Sequence, residues 1–204
     1  MRLFLWTGVL TALTAFAGRA EDKKEPAVPL EIPVKAKLVA KKTTYTLDLG
    51  GKTGAEYREQ LKAAEKSGAM PPPPAVDLVL EITNTSDKDV KIWDKGDPVV
   101  IALTLTGPGA VNASPLLAFT ADFRGPSSVT LAPGKSLSFP FSKLQYGFRG
   151  AAKMSFWTEP GEYKLKAIFT TAIQPAPKGS KERDGFGQVN VVSEEITLKV
   201  EAPK

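Results

Sequence analysis

Cysteine and histidine are both absent from this sequence of 204 residues. Without cysteine there can be no disulfide framework and no lipidated N-terminal cysteine, and without either residue type the usual zinc ligands are missing. The absence of histidine excludes a Ser-His-Asp or Cys-His nucleophilic site and a neutral-pH imidazole shuttle. Carboxylate chemistry therefore remains the main catalytic mechanism open to the chain.

A strong excess of charge of one sign is also absent. The chain has 27 basic and 22 acidic residues, and removal of residues 1–20 would leave 25 basic residues and a formal charge of +3. The basic residues are dispersed, whereas a nucleic-acid-binding surface needs them clustered. We therefore expect no nucleic-acid partner, and no residue pattern indicates a cofactor.

An uncharged, mostly apolar run near the N-terminus is typical of a secretory signal. This run, Leu3–Ala17, follows the positive charge of Arg2 and is shorter than the roughly 20 residues of a transmembrane helix. Small-x-small sites lie at its end, and the polar segment that starts at Glu21 favours cleavage after Ala20. The sequence predicts a signal peptide over residues 1–20 and an exported protein, periplasmic or extracellular, with no membrane span after cleavage. An uncleaved N-terminal anchor is the alternative.

Period-two alternation of apolar residues dominates the rest of the chain, which is long enough for one domain with a sizeable core. We expect an extended lead-in over residues 21–33 and a single domain over 34–204. Alternation within Val34–Ala40, Val76–Ile82 and Tyr163–Phe169 predicts strands with one buried face. Further predicted segments are strands at Val90–Trp93, Val99–Thr106, Leu116–Phe123, Leu137–Phe141 and Ile196–Val200, and a long polar loop at Pro175–Gly187. About eight to ten short strands between turn residues favour an all-β sandwich over a βαβ fold.

An insertion over residues 53–75 interrupts the strands. Thr53–Glu56 has the spacing of a capping box, in which two side chains satisfy free backbone N–H groups. Ala55–Lys66 is rich in helix formers, and Gly68 follows as a C-terminal cap. Pro71–Pro74 forbids helix and favours a stiff extended spacer, with recognition by a partner's groove as the alternative.

Three segments resemble bacterial immunoglobulin-like domains. Pro160–Ala167 is similar to their late strand, Leu80–Val90 to their early hairpin and Val129–Ser136 to their mid-domain hairpin. The resemblance implies an immunoglobulin-like antiparallel β-sandwich, and the one short helix at Ala55–Lys66 departs from a minimal domain of this type as an insertion. It also implies that the Tyr163 hydroxyl bonds to backbone upstream of it. It points to uncharacterised exported bacterial proteins and carries over no catalytic residue.

The aromatic, glycine-rich loop Gln145–Ala151 is the candidate ligand-binding site. Tyr146, Phe148 and Arg149, together with Trp157, could form an aromatic and basic platform for a sugar or a peptide, since aromatic residues on loops are typical recognition elements. The alternative is that Phe148 and Trp157 close the end of the core, because large aromatic side chains are mostly buried.

Two groups of acidic residues need separate interpretations. The first, which could hold calcium, contains Asp87, Asp89, Asp94 and Asp97. Lysines alternate with these acids and no EF-hand pattern is present, so we interpret them as solvated turn residues and expect no metal site. The second, which could support glycoside hydrolysis, contains Glu56, Glu59, Glu159 and Glu162. Their spacing singles out no pair.

The sequence therefore predicts a non-enzymatic exported binding, interaction or scaffold domain without a cofactor. Its partner would be a protein or a cell-envelope polysaccharide. Two alternatives stay open: a polysaccharide-binding module that uses the aromatic loop at 145–151, and a carboxylate-based hydrolase.

Overall fold

A computed structural model describes residues 31–115, 124–147 and 152–203, and most of these residues lie in β-strands. The elements are, in chain order, β1 Val34–Ala40, β2 Thr44–Thr46, α1 Gly54–Ser67, β3 Ala75–Asn84, β4 Val90–Lys95, β5 Val100–Thr106, β6 Ala110–Ala113, β7 Ser127–Leu131, β8 Ser136–Lys143, β9 Gln145–Tyr146, β10 Lys153–Trp157, β11 Gly161–Gln174, β12 Glu182–Arg183, β13 Phe186–Val192 and β14 Ile196–Glu201. The all-β class is confirmed. The predicted signal peptide at 1–20, most of the lead-in, the predicted strand Leu116–Phe123 and the residues Phe148 and Arg149 lie outside the described residues.

Strand β11 is the centre of the larger sheet, because its 14 residues pair with four other strands. Gly161–Leu165 pairs with β14, Lys164–Thr170 with β5 and Ile168–Ile173 with β13, all antiparallel, while β4 pairs with the end of the strand. Every second residue from Tyr163 to Phe169 is fully buried, as the alternation predicts. β2 departs from the expected antiparallel arrangement because it pairs with β14 in parallel.

Two three-stranded sheets accompany the larger one. β1, β3 and β8 form the first, and β6, β10 and β9 form the second. The rings of Phe139 on β8 and Phe169 on β11 lie 5.1 Å apart, so the first of these sheets shares a core with the larger sheet. Buried Leu78, Leu80 and Ile82 of β3 belong to the same core. No helix within the described ranges is long and apolar enough to span a bilayer.

The two expected hairpins at Leu80–Val90 and Val129–Ser136 are wrong. β3 pairs with β1 and β8, whereas β4 pairs with β11 and β7, so the chain passes between sheets at each of these turns. Turn residues show where a chain reverses and not which strand it then pairs with. The side chain of Asn84 contacts both of these connections.

The Asn84 side chain is fully buried and uses its whole hydrogen-bonding capacity. Its Nδ2 donates to the carbonyl oxygens of Lys88, at 2.7 Å, and Leu131, at 2.8 Å. Its Oδ1 accepts from the backbone N–H of Ser86, at 2.9 Å, and from the Ser86 hydroxyl, at 2.8 Å. The Asn84 side-chain amide therefore links the β3–β4 connection to the end of β7, just before the β7–β8 connection.

The inserted helix is confirmed with both of its predicted caps. The backbone N–H of Thr53 donates to Glu56 Oε2 at 2.8 Å, and the backbone N–H of Glu56 donates to Thr53 Oγ1 at 3.3 Å. Gly68 ends the helix in the left-handed conformation, with a φ of 74° that favours glycine. These local contacts define both ends of α1 without help from the sheets.

The predicted polar loop at Pro175–Gly187 is wrong in its second half. β12 and β13 form a hairpin there, and Asp184 and Gly185 at its turn both have positive φ angles, of 54° and 80°. An Asp-Gly pair is the preferred sequence for such a two-residue turn. The Asp-Gly pair is visible in the sequence, but the lysine and arginine residues around it favoured the prediction of a polar loop.

Replacement of Asn84 by alanine should lower the free energy of unfolding by about 2–4 kcal/mol, because a buried bond to the Leu131 carbonyl and a part-buried bond to the Lys88 carbonyl are both lost. Urea denaturation measures this change. Asn190→Ala is the matched control, since the Asn190 side chain accepts an exposed hydrogen bond from the Thr170 hydroxyl, and it should cost less than about 1 kcal/mol. Equal losses in the two variants would contradict a clamping role for Asn84.

Candidate functional site: a groove beside the inserted helix

Helix α1 packs on the sheet of β6, β10 and β9 through a small core of its own. Leu61, which is 1% exposed, lies in one cluster with Phe156 and Met154 of β10 and Ala113 of β6. Half-buried Tyr57 packs against the same cluster. Tyr57 and Leu61 therefore belong to the face of the helix that contacts the sheet.

A half-exposed ion pair holds the first turns of the helix. Arg58 Nη1 lies 2.5 Å from Glu159 Oε1 and donates to Thr158 Oγ1 at 2.8 Å. A Cβ atom at Gly54 would collide with the backbone oxygen of Thr158, so the start of the helix touches the end of β10 directly. These contacts place the helix against the segment that leads into β11.

Tyr163 also anchors the segment that leads into β11. Its hydroxyl donates to the backbone oxygen of Glu159 at 2.7 Å, and the oxygen of Pro108 also lies within bonding distance. The hydrogen bond to upstream backbone that the resemblance implies is thus present, four residues before the tyrosine. The ring of Tyr163 lies 6.1 Å from that of Trp157.

A groove opens between the helix, the segment after β2 and the proline run, and we call it the insertion groove. It is a cavity of about 600 Å³. Its apolar lining comes from Tyr45, Tyr57, Trp157 and the prolines 72–74. Its polar edge includes Lys42, Thr46, Asp48, Lys52 and Gln60. The predicted stiff spacer therefore forms one wall of a cavity, and its Pro73 is buried.

The three aromatic rings offer unequal surfaces to the groove. Trp157 and Tyr45 are 4% and 6% exposed, with ring centres 5.2 Å apart. The ammonium group of Lys42 lies 5.1 Å from the centre of the Tyr45 ring, in cation-π geometry. Tyr57 is half-buried, and no cation of the described residues lies over its ring. It therefore presents the most accessible of the three rings.

The polar edge combines hydrogen-bond donors and acceptors. Asp48 is exposed and accepts the backbone N–H of Gly50 at 3.0 Å, which leaves further acceptor capacity on its carboxylate. Gln60 and Lys52 are exposed. Burial and, secondly, the negative charge of Asp48 raise the pKa of the Tyr57 phenol, which therefore stays protonated and able to donate.

The predicted aromatic platform is divided between two places. Trp157 lines the insertion groove, whereas Tyr146 lines a second cavity of about 860 Å³ beside Phe141, whose ring centre is 6.2 Å away. Phe148 and Arg149 lie outside the described residues. The structure thus brings Trp157 together with Tyr45 and Tyr57, residues that the sequence analysis did not group as a site.

The candidate acidic residues hold local contacts. Asp94 accepts from the Ser127 hydroxyl at 2.9 Å, and Asp97 accepts from the backbone N–H of Arg124 at 2.8 Å. Within the described ranges no three acidic side chains come close enough to hold a metal ion. Glu56 caps the helix and Glu159 binds Arg58, and among the residues lining the two cavities there is no glutamate.

No protein-family profile matches the sequence, and no curated protein matches it significantly. The candidate site therefore rests on its own geometry.

The tyrosine side chains should ionise at a higher pH in the folded protein than in the unfolded chain. Burial is the first cause that raises the pKa of all four tyrosines of the chain, which are Tyr45, Tyr57, Tyr146 and Tyr163. Unfolded tyrosine ionises near pH 10. As the pH rises above about 10, the unfolded state loses protons first, so the folded state should lose stability through the range up to the native pKa values. Tyrosinate absorbance should rise at higher pH in the native protein than in denaturant, and identical curves would contradict this.

Proposed function

We propose that the protein is an exported, non-enzymatic binding module built on an immunoglobulin-like β-sandwich. Residues 1–20 support export because they have the charge, apolar run and small-x-small end of a secretory signal. The shared core of two β-sheets and the bond from the Tyr163 hydroxyl to upstream backbone support the sandwich.

The single observation that carries the binding function is the insertion groove. Its volume of about 600 Å³ falls within the range of small-ligand sites, and its lining combines aromatic rings with a few polar groups, as such sites do. Its walls are held in place by the Arg58–Glu159 pair and by the tilted packing of the Trp157 ring against the rings of Tyr45 and Tyr163. A preorganised cavity of this kind binds ligand without a large ordering cost.

A second candidate is a polysaccharide-binding module that uses the loop at 145–151. Tyr146 favours it, because this half-buried ring lines a cavity of about 860 Å³ together with Arg124 and Lys143. Here the ligand would contact the loop and not the helix, so the two candidates differ in the surface that a ligand covers.

Expression of the full chain in a Gram-negative host tests export. We expect the protein in the periplasmic fraction with a mature N-terminus at Glu21, as determined by intact mass and N-terminal sequencing. A chain that keeps residues 1–20 and sediments with membranes would support the anchored alternative. Full-length protein in the cytosol would contradict export.

Ligand mapping by NMR tests the binding function. Isotope-labelled mature protein is titrated with soluble oligosaccharides and, separately, with a proline-rich decapeptide. We expect one probe to shift the amide resonances of Asp48, Tyr57 and Gln60 together, because they share the insertion groove. Shifts confined to Gln145, Tyr146 and Gly147 would favour the second candidate, and no shift with any probe would count against the binding function.

A further inference from the structure

We infer that the insertion groove binds a short stretch of an uncharged polysaccharide, with the Tyr57 ring as the stacking surface and Asp48, Lys52 and Gln60 as hydrogen-bonding groups. This inference rests on the proposed binding function and specifies its ligand. It differs from the second candidate above in placing the sugar at the helix and not at the loop 145–151.

Ring accessibility selects Tyr57 as the stacking residue. Trp157 and Tyr45 are almost completely buried, and the Lys42 ammonium group covers the Tyr45 ring. Tyr57 is half-buried on the helix, so one part of its ring packs on Leu61 and its cluster while another lines the groove. An aromatic ring with an apolar body and a polar end matches a sugar, whose C–H face is apolar and whose hydroxyl groups are polar.

The hydrogen-bonding groups favour a polyhydroxyl ligand over a proline-rich peptide. The Asp48 carboxylate only accepts, the Lys52 ammonium only donates, and the Gln60 amide does both. Sugar hydroxyl groups donate and accept, so they can satisfy all three residues. A polyproline segment has carbonyl acceptors and no N–H donors, so it could donate no backbone hydrogen bond to the Asp48 carboxylate.

The charges on the edge nearly cancel, which favours an uncharged sugar. Two lysines, Lys42 and Lys52, stand against one carboxylate, Asp48, and the ammonium group of Lys42 is already engaged with the Tyr45 ring. Among the described residues that line the groove there are two lysines and no larger cluster of cations to recognise an acidic polymer. Because contacts with hydroxyl groups are not screened by salt as ion pairs are, binding should change little with ionic strength.

Affinity electrophoresis of the mature chain tests the inference. The probes are four uncharged polysaccharides in the gel, namely hydroxyethyl cellulose, xylan, galactomannan and glycol chitin, with a proline-rich decapeptide measured separately by fluorescence anisotropy. We expect at least one polysaccharide to retard the protein. Tyr57→Ala should weaken that retardation at least tenfold, Tyr57→Phe should keep most of it, and Phe148→Ala should leave it unchanged.

Two controls separate binding from folding and from charge. Thermal unfolding confirms that Tyr57→Ala folds, and if it does not, Gln60→Ala replaces it, since this exposed side chain should cost little stability and reduce binding several-fold. Repetition in high salt should leave the retardation unchanged, and its loss there would overturn the assignment of an uncharged ligand.

The remaining outcomes distinguish this inference from the proposed function. Loss of retardation in Phe148→Ala with Tyr57→Ala unaffected would overturn the groove as the sugar site. Binding of the decapeptide without retardation by any polysaccharide would overturn the ligand class and leave the binding module standing. Absence of both, together with unshifted groove resonances in the NMR titration, would overturn both proposals.

Discussion

The hydrogen bonding of strand β11 is the constraint on which the rest of the structure depends. Its 14 residues hold β14, β5, β13 and β4 in one sheet, and its buried face from Tyr163 to Phe169 supplies the centre of the core. A shift of one residue would turn that whole row towards solvent, so burial and pairing specify the same register. The three-stranded sheet of β1, β3 and β8 then closes over the row, where Phe139 meets Phe169.

Contacts at the start of β11 determine the geometry of the insertion groove. Tyr163 is the first buried residue of β11, and its hydroxyl fixes the backbone of Glu159. Glu159 in turn holds Arg58 on the helix, while the Tyr163 ring lies beside Trp157. Trp157 and the helix, which line the groove, are therefore connected to the main sheet by a short series of direct contacts. The opposite wall, Pro72–Pro74, leads straight into β3 and is therefore supported by the three-stranded sheet of β1, β3 and β8.

Local signals allowed most of the fold to be predicted, and long-range pairing was the part they could not supply. The capping box at Thr53–Glu56 and the glycine at Gly68 specify the helix by themselves, and alternation located most of the strands. The hairpins failed because the turn after Asn84 leads into a different sheet. The groove was missed for a related reason, since Tyr45, Tyr57 and Trp157 come from three distant segments that only the tertiary structure brings together. The Asp184-Gly185 turn, by contrast, was predictable from its dipeptide alone.

The separation between the two apolar clusters explains why the fold was easier to predict than the site. The main core fills the space between sheets, where period-two alternation repeats over many strands and each strand confirms the next. The cluster around Leu61 holds only the helix and its supporting sheet, so residues on the other faces of the helix contribute nothing to strand register. Side chains such as Gln60 are exposed and therefore free of packing constraints. Such exposed residues are not positioned by packing, so no hydrophobic period could indicate that they line the groove.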